Sequence, residues 1–338
     1  MRSTSAWLLL LGLGTFMIAA CNGGETVSTL IPTPTPTATP AAALTVPAAS
    51  PTLLPTPISA PPSSGDSRPL GKVETIADHR CGGPFGDRCL DVIVTCPGIS
   101  DAAVTLRVTG TGIGGTAVLT TAGNGTSLYR PNNESVEGYE NVVGMTDALL
   151  ADGYRLAELI WKPPGVWDGS GGSITLACRP ATAIRWVYDN CYEGALYLAQ
   201  GTSGGASQIA FSLAYYGVDD ILDLANLASG PPPCPISTEG RLNVAVQAQC
   251  LVDGQLWGES TEPMLFGNPQ LHYPNTTVSF FIGEQEPSDY IVMSATAYHD
   301  RISSAKSMLV VPNTGHAMNK TAEGAAALLA SIREAESR

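Results

Sequence analysis

The sequence predicts an α/β domain with a mostly parallel central sheet, helices on both faces and a small cap insertion, and two observations lead to this fold class. From residue 154 onward, apolar strand-like segments alternate with segments whose apolar residues recur at helical spacing. Such alternation is typical of the crossover units that build a parallel sheet. In addition, the turn Gly201-Thr202-Ser203-Gly204-Gly205 separates an apolar strand from a helix. Ligands bind at the carboxyl ends of parallel strands, so this turn indicates a functional edge.

Residues 1–20 have the pattern of an export signal. Arg2 precedes an apolar stretch from Trp7 to Ala20 that is too short to span a bilayer as a stable helix. The stretch ends in Ile18-Ala19-Ala20-Cys21, which resembles the lipobox of bacterial lipoproteins, where the cysteine is lipidated and becomes the mature N-terminus. The alternative is an ordinary signal peptide cleaved near Ala20. We therefore expect export to the bacterial cell envelope and a lipid anchor on Cys21, with the membrane leaflet left open.

Residues 21–70 predict a disordered tether, because the segment repeats Pro-Thr and has few large apolar side chains to bury. Residues 71–338 have ordinary globular composition and predict one large domain. The net charge of −13 argues against nucleic acid as a partner and against electrostatic docking on anionic lipid. Contact with a membrane is thus expected through the N-terminal lipid only, and the oligomeric state is left open.

Seven cysteines follow Cys21, which in an exported chain predicts disulfides. Cys81 and Cys89 flank a turn and can close a short loop, and Cys234 and Cys250 can staple an excursion of the chain. Cys178 and Cys191 are separated by a predicted helix, which holds its ends about 16 Å apart. A disulfide tolerates only about 4.4–6.8 Å between Cα atoms, so these two are not expected to pair. Because seven is odd, at least one thiol is free or pairs outside the domain.

The first part of the domain predicts an antiparallel pair of strands over 91–95 and 103–108, followed by a third strand over 116–121. The run from Gly110 to Gly115 fits the dinucleotide fingerprint G-x-G-x-x-G, but a strand and not a helix follows it. We therefore interpret it as a loop between strands. A helix is predicted over 144–153, then a strand over 154–161.

The second part predicts the alternating elements and one insertion. The predicted elements are a Gly-rich loop (165–173), helices (180–190, 206–216, 321–335) and strands (195–199, 221–228, 277–282, 307–311). The excursion over 231–275 interrupts this pattern and holds apolar residues that could cap a site or simply pack onto the domain. Loops that follow the strands should converge at one edge of the sheet.

Ser203 is the candidate nucleophile, since G-x-S-x-G between a strand and a helix holds a serine in a strained, exposed turn. A serine hydroxyl needs a base. Among the four histidines, His316 directly follows the last strand, whereas His79, His272 and His299 lie elsewhere. The base in turn needs a carboxylate to fix its tautomer. Glu286 follows the penultimate strand and is preferred, with Asp289 as the alternative.

The chain order Ser203, Glu286, His316 resembles that of the α/β-hydrolase-fold serine hydrolases, over about residues 90 to 338. This resemblance implies an esterase-like or lipase-like enzyme and an oxyanion hole from the backbone N–H of Gly204 and of Asn124 or Gly125. Two features depart from the family pattern. The acid is Glu where many members have Asp, and the loop Gly123-Asn124-Gly125-Thr126 stands where many lipases and esterases have His-Gly.

The resemblance implies hydrolysis of a small-molecule or polymeric carboxylic ester through an acyl-enzyme, with no cofactor and no metal. A peptidase or amidase on the same scaffold is the alternative enzyme. A non-catalytic surface binding lipoprotein is the alternative outside enzymes, because a fold does not by itself give a function.

Overall fold

The structure is a computed structural model, and it describes residues 67–82, 87–126, 129–131, 134–169, 172–231, 251–252, 255–256 and 269–338. The predicted export signal, Cys21, most of the tether and most of the 231–275 excursion lie outside these residues. Within the described residues, no helix has both the length and the apolar character needed to cross a bilayer.

Eleven strands and six α-helices occur in the described residues. The strands are β1 (Lys72–Arg80), β2 (Arg88–Thr95), β3 (Ala102–Thr109), β4 (Gly115–Thr120), β5 (Tyr154–Trp161), β6 (Tyr197–Thr202), β7 (Leu224–Ala228), β8 (Leu251–Val252), β9 (Gln255–Leu256), β10 (Thr277–Gly283) and β11 (Lys306–Val311). The helices are α1 (Tyr139–Ala151), α2 (Gly172–Leu176), α3 (Cys178–Cys191), α4 (Gly204–Tyr216), α5 (Asp289–Arg301) and α6 (Ala322–Glu336).

In the described part of the chain, nine strands form one sheet in the order β1-β2-β3-β5-β4-β6-β7-β10-β11. The first three pairings, β1 with β2, β2 with β3 and β3 with β5, are antiparallel. Every later pairing, from β5–β4 to β10–β11, is parallel. β8 and β9 form a separate antiparallel pair inside the excursion. The sheet is mostly parallel, as predicted.

Helices cover both faces of this sheet. Successive side chains of a strand point to opposite faces of the sheet. Two neighbouring residues of β4 therefore pack against helices on opposite faces. Val118 joins a buried cluster with Ile184 of α3 and Ile209 of α4. Its neighbour Leu119 joins a second cluster, which includes Leu149 of α1. The architecture confirms the predicted α/β-hydrolase fold.

Some strands and helices begin at residues other than those predicted from the sequence. The strand expected over 221–228 begins only at Leu224, because a 3₁₀ turn over Val218–Asp220 precedes it. The helix expected over 144–153 begins earlier, at Tyr139. Gly110 to Gly114 form a loop before β4, which confirms that they do not open a helix.

The disulfide predictions are confirmed in part. Cys81 pairs with Cys89, as predicted. Cys178 does not pair with Cys191, also as predicted, and its partner is Cys96. The pairing of Cys96 with Cys178 was not predicted, and it ties the end of β2 to the start of α3. Cys191 is also disulfide-bonded, and no described cysteine is free. The predicted Cys234–Cys250 pair lies outside the described residues.

Candidate active site

Ser203 lies in the turn between β6 and α4. Its backbone has φ 55° and ψ −119°, a conformation that costs a non-glycine residue free energy. The N–H of Ser203 donates to the carbonyl of Ala228 on β7 (2.8 Å), and its carbonyl accepts from the N–H of Ser207 (3.1 Å). The turn is therefore fixed by the neighbouring strand and by the following helix.

The glycines around Ser203 allow this turn to pack against β4. A Cβ on Gly205 would lie 2.3 Å from the carbonyl oxygen of Thr120, and a Cβ on Gly201 would lie 2.4 Å from the Gly205 carbonyl carbon. Distances this short are not tolerated between real atoms. The glycines are needed for close approach of backbones, which is the physical basis of the G-x-S-x-G pattern.

His316 lies within hydrogen-bonding distance of the serine. Its Nε2 is 2.9 Å from Ser203 Oγ. The loop that carries His316 follows β11 and packs on the end of β10, where the N–H of Gln285 donates to the carbonyl of Thr314 (2.9 Å). A Cβ on Gly283 would lie 2.2 Å from that same carbonyl oxygen. Backbone contacts between these two loops thus set the position of the imidazole.

Glu286 is the acid that contacts His316. Its Oε2 lies 2.9 Å and its Oε1 3.1 Å from His316 Nδ1. The N–H of Ser288 donates to Oε1 (3.3 Å). A carboxylate beside Nδ1 holds the proton on that nitrogen, which leaves the Nε2 lone pair to accept the proton of Ser203. Asp289 begins α5 and is exposed.

The other three histidines have partners away from Ser203. His79 on β1 contacts Asp91, His272 contacts Ser303, and His299 contacts its neighbour Asp300. The structure brings Ser203, His316 and Glu286 together, and it leaves these histidines and Asp289 outside that group.

The two loop residues predicted as alternative oxyanion donors, Asn124 and Gly125, differ in their backbone N–H groups. The N–H of Gly125 donates to the carbonyl of Ala122 (3.2 Å), so it is not available to a developing negative charge. The side chain of Asn124 bonds the carbonyl of Pro164 and the N–H of Trp167. A third loop residue, Gly123, was not selected as a donor by the sequence analysis, although its backbone packs on the start of α4.

Gly123 lies against Gly204. A Cβ on Gly204 would lie 2.3 Å from Gly123 O and 2.8 Å from Gly123 N. Within the described residues, the N–H groups of Gly123, Asn124 and Gly204 donate to no group. Gly204 is the first residue of α4, whose N-terminal N–H groups have no intrahelical acceptor. Free N–H donors therefore lie beside the serine, and the pattern G-N-G alone could not identify which glycine supplies them.

A cleft of about 500 Å³ adjoins His316. Its walls combine apolar and hydroxyl-bearing side chains with one imidazole, one amide and one lysine. They are Thr121, Ala122, Thr126, Tyr129, Pro131, Val136, Thr202, His316, Ala317, Asn319 and Lys320. Burial raises the pKa of Tyr129 to about 12, further above physiological pH than the ordinary value of a tyrosine. The sequence analysis missed Tyr129, whose position depends on contacts with distant strands.

Comparisons with known proteins give structural likenesses alone. No family model matches the chain, and no curated protein matches it. Among solved structures, it is similar to Est1E from Butyrivibrio proteoclasticus, with 11% identity, a TM-score of 0.44 and coverage of 72% of this chain and 96% of that one. It is also similar to acetyl xylan esterase 1 from Thermoanaerobacterium sp., with 15% identity, a TM-score of 0.46 and coverage of 78% and 88%. A third is the esterase RhEst1 from Rhodococcus sp., with 18% identity, a TM-score of 0.43 and coverage of 70% and 95%. The strand order described above, and not these likenesses, defines the fold.

Proposed function

We propose that this protein is a serine hydrolase that cleaves carboxylic esters. The observation that supports it is the chain of hydrogen bonds from Ser203 Oγ to His316 Nε2 (2.9 Å) and from His316 Nδ1 to Glu286 Oε2 (2.9 Å). A nucleophile, a base and an orienting acid in hydrogen-bond contact are the parts that acyl transfer requires. The strained backbone of Ser203 adds to this support.

In the proposed mechanism, Ser203 Oγ attacks the ester carbonyl while His316 Nε2 takes its proton. The negative charge on the carbonyl oxygen is stabilised by the N–H of Gly204 and by an N–H of Gly123 or Asn124. Donors already in place need no reorganisation, and losing one costs about 10²–10³ in rate. His316 then gives the proton to the alcohol oxygen as the ester C–O bond breaks, which releases the alcohol and leaves the acyl group on Ser203 Oγ. Water then attacks the acyl carbon with His316 as its base, the bond from that carbon to Ser203 Oγ breaks, and the proton returns to Ser203.

We further propose that the protein is exported and anchored at the cell envelope through a lipid on Cys21. The support is the sequence pattern of residues 1–21 and the tether that follows it. Labelling of the expressed chain with a radioactive fatty acid tests this, with Cys21→Ser as the control that should lose the label.

Labelling of the purified protein with a fluorophosphonate probe tests the enzymatic proposal. We expect stoichiometric labelling of the wild type, none in Ser203→Ala, and a rate lowered by about 10³ or more in His316→Ala. His272→Ala is the matched control, since the imidazole of His272 is hydrogen-bonded to Ser303, away from Ser203, and it should label normally. A folded wild type that does not label would contradict the proposal.

Matched substrates separate the ester and amide alternatives. The protein should hydrolyse 4-nitrophenyl butyrate and leave the corresponding 4-nitroanilide almost unchanged. Faster cleavage of the anilide would favour a peptidase or amidase instead.

A further inference from the structure

A buried carboxyl group lies under the cleft wall and has no part in the mechanism above. Glu158 is on β5, between β3 and β4 in the middle of the sheet, and is 3% exposed. An acid in such a place is expected to have hydrogen-bond partners, because burying it without them costs free energy.

Glu158 holds the backbone of the segment 129–131. Its Oε1 accepts hydrogen bonds from the N–H of Tyr129 and from the N–H of Arg130, the second at 3.3 Å. Arg107 on β3 holds the other side of the segment, because its Nη1 donates to the carbonyl of Arg130 (2.6 Å). Both peptide groups that flank Arg130 are therefore fixed by buried charged side chains.

The segment that Glu158 holds is a wall of the cleft. Tyr129 and Pro131 both line it. The hydroxyl of Tyr129 lies 3.3 Å from Oγ1 of Thr202, the residue that directly precedes Ser203. A shift of the Tyr129 backbone would therefore change the shape of the cleft next to the nucleophile.

Arg107 and Asp87 are the charged groups that act on Glu158. A second ion pair, that of Arg130 with Asp147, belongs to the segment that Glu158 holds. From β3, Arg107 Nη1 lies 3.7 Å from Glu158 Oε2. Asp87, which precedes β2, pairs with Arg107. Arg130 pairs with Asp147 of α1 (2.8 Å). On β4 the residue opposite Glu158 is the apolar Leu119.

Burial and the nearby Arg107 act in opposite directions on the pKa of Glu158. Burial raises the pKa of Glu158 to about 7, while Arg107 and the two backbone N–H groups oppose the rise. The ionised carboxylate is the stronger hydrogen-bond acceptor, so ionisation tightens the hold on Tyr129 and Arg130.

We propose that Glu158 is a positioning residue for the reaction at Ser203, and that its ionised carboxylate keeps Tyr129 in the place that shapes the substrate cleft. This proposal rests on the proposed ester hydrolysis. It assigns Glu158 no contact with the reacting atoms.

The first test compares the wild type with Glu158→Gln, which keeps the shape and removes the charge. The ratio of their kcat/KM values for 4-nitrophenyl butyrate is measured from pH 5.5 to 8.5. The ratio removes those effects of pH that are common to both proteins. We expect a ratio near one at low pH that rises about tenfold through a single-proton step near pH 7, mainly through KM. Glu74→Gln, which removes an exposed carboxylate on β1, should give a flat ratio.

The second test needs no turnover. Hydrogen exchange of the Tyr129 and Arg130 amides, corrected for intrinsic rates, is measured in the wild type between pH 6 and 8. We expect protection to rise through this range, and to be about tenfold lower in Glu158→Gln than in the wild type at pH 8. The wild-type measurement stands even if the variant does not fold.

A flat activity ratio overturns the proposal, whatever the exchange data show. A flat ratio together with lower amide protection in Glu158→Gln would mean that Glu158 holds the segment without acting on hydrolysis. Unchanged protection overturns it as well. A wild type that cleaves no ester would overturn the proposed function, and the exchange data would then still decide whether Glu158 holds the segment.

Discussion

Glu286 Oε2 lies 2.9 Å from His316 Nδ1, and the two side chains differ sharply in exposure: that of Glu286 is 1% exposed and that of His316 is 34% exposed. The carboxylate is shielded from water, while the imidazole reaches the cleft. The hydrogen bonds of a buried carboxylate constrain its position, because water is not there to replace them if the group moves. The pair therefore fixes the orientation of the imidazole.

The identity of the acid can be tested by paired substitutions. Glu286→Gln keeps the shape but donates to Nδ1 and favours the wrong tautomer, so kcat should fall by about 10³–10⁴. Asp289→Asn, on the exposed start of α5, should keep kcat within about twofold of the wild type. Steady-state kinetics on one ester measures both. A large loss in Asp289→Asn with an active Glu286→Gln would reverse the assignment.

The glycines of the nucleophile turn should be intolerant of any side chain. Gly205→Ala places a Cβ 2.3 Å from Thr120 O, and such overpacking costs about 1–3 kcal/mol or more in the free energy of unfolding. Gly144→Ala is the matched control, because its Cβ on α1 would meet nothing within 4 Å. That change should stabilise the protein by about 0.5–1 kcal/mol. Urea denaturation gives both values, and equal effects would contradict the packing argument.

The two described disulfides should differ in how much they stabilise the fold. Cys96–Cys178 spans 82 residues, and Cys81–Cys89 spans 8. Closing a longer loop removes more conformational entropy from the unfolded chain. Replacing both members of the long-range pair with Ala should cost about 2 kcal/mol more free energy of unfolding than the same change in the short-range pair. A larger loss for the short-range pair would show that native-state contacts decide the difference.

Glu158 should make the stability of the protein depend on pH. Its folded pKa of about 7 lies above the ordinary value of a glutamic acid. Between about pH 4.5 and 7 the folded state therefore binds more protons at Glu158 than the unfolded state does. The free energy of unfolding consequently falls as pH rises through this range. The stability of the wild type relative to Glu158→Gln should fall from pH 5 to pH 8 in urea denaturation. A difference that is constant with pH would contradict the shift.

Local patterns predicted the parts of the site that follow parallel strands. The carboxyl ends of β6, β10 and β11 meet at one edge, so Ser203, Glu286 and His316 could be placed together from their positions after strands. β1 was not predicted, because its exposed side chains show no alternation of apolar and polar residues. Its place in the sheet comes from pairing with β2.

The sequence patterns could not predict contacts between segments that are distant in the chain. Gly123 lies beside Gly204 because β4 and β6 are neighbours, and nothing in the loop sequence distinguishes it from Gly125 as a donor. Glu158 and Arg107 are opposite one another on adjacent strands, but in the sequence they are ordinary charged residues. The partner of Cys178 is likewise set by where β2 ends, and no spacing rule selects Cys96.

The hydrogen bond between Ser203 and His316 joins residues 113 positions apart, and His316 comes after the last strand. A chain that is still being synthesised therefore carries the serine long before it carries the base. In the proposed mechanism, Ser203 becomes reactive only once β11 has paired with β10 and His316 lies beside it. Under that same mechanism, the reactivity of this one hydroxyl reports complete maturation, and a chain that lacks its final segment is not expected to react with a probe even when its first strands have formed.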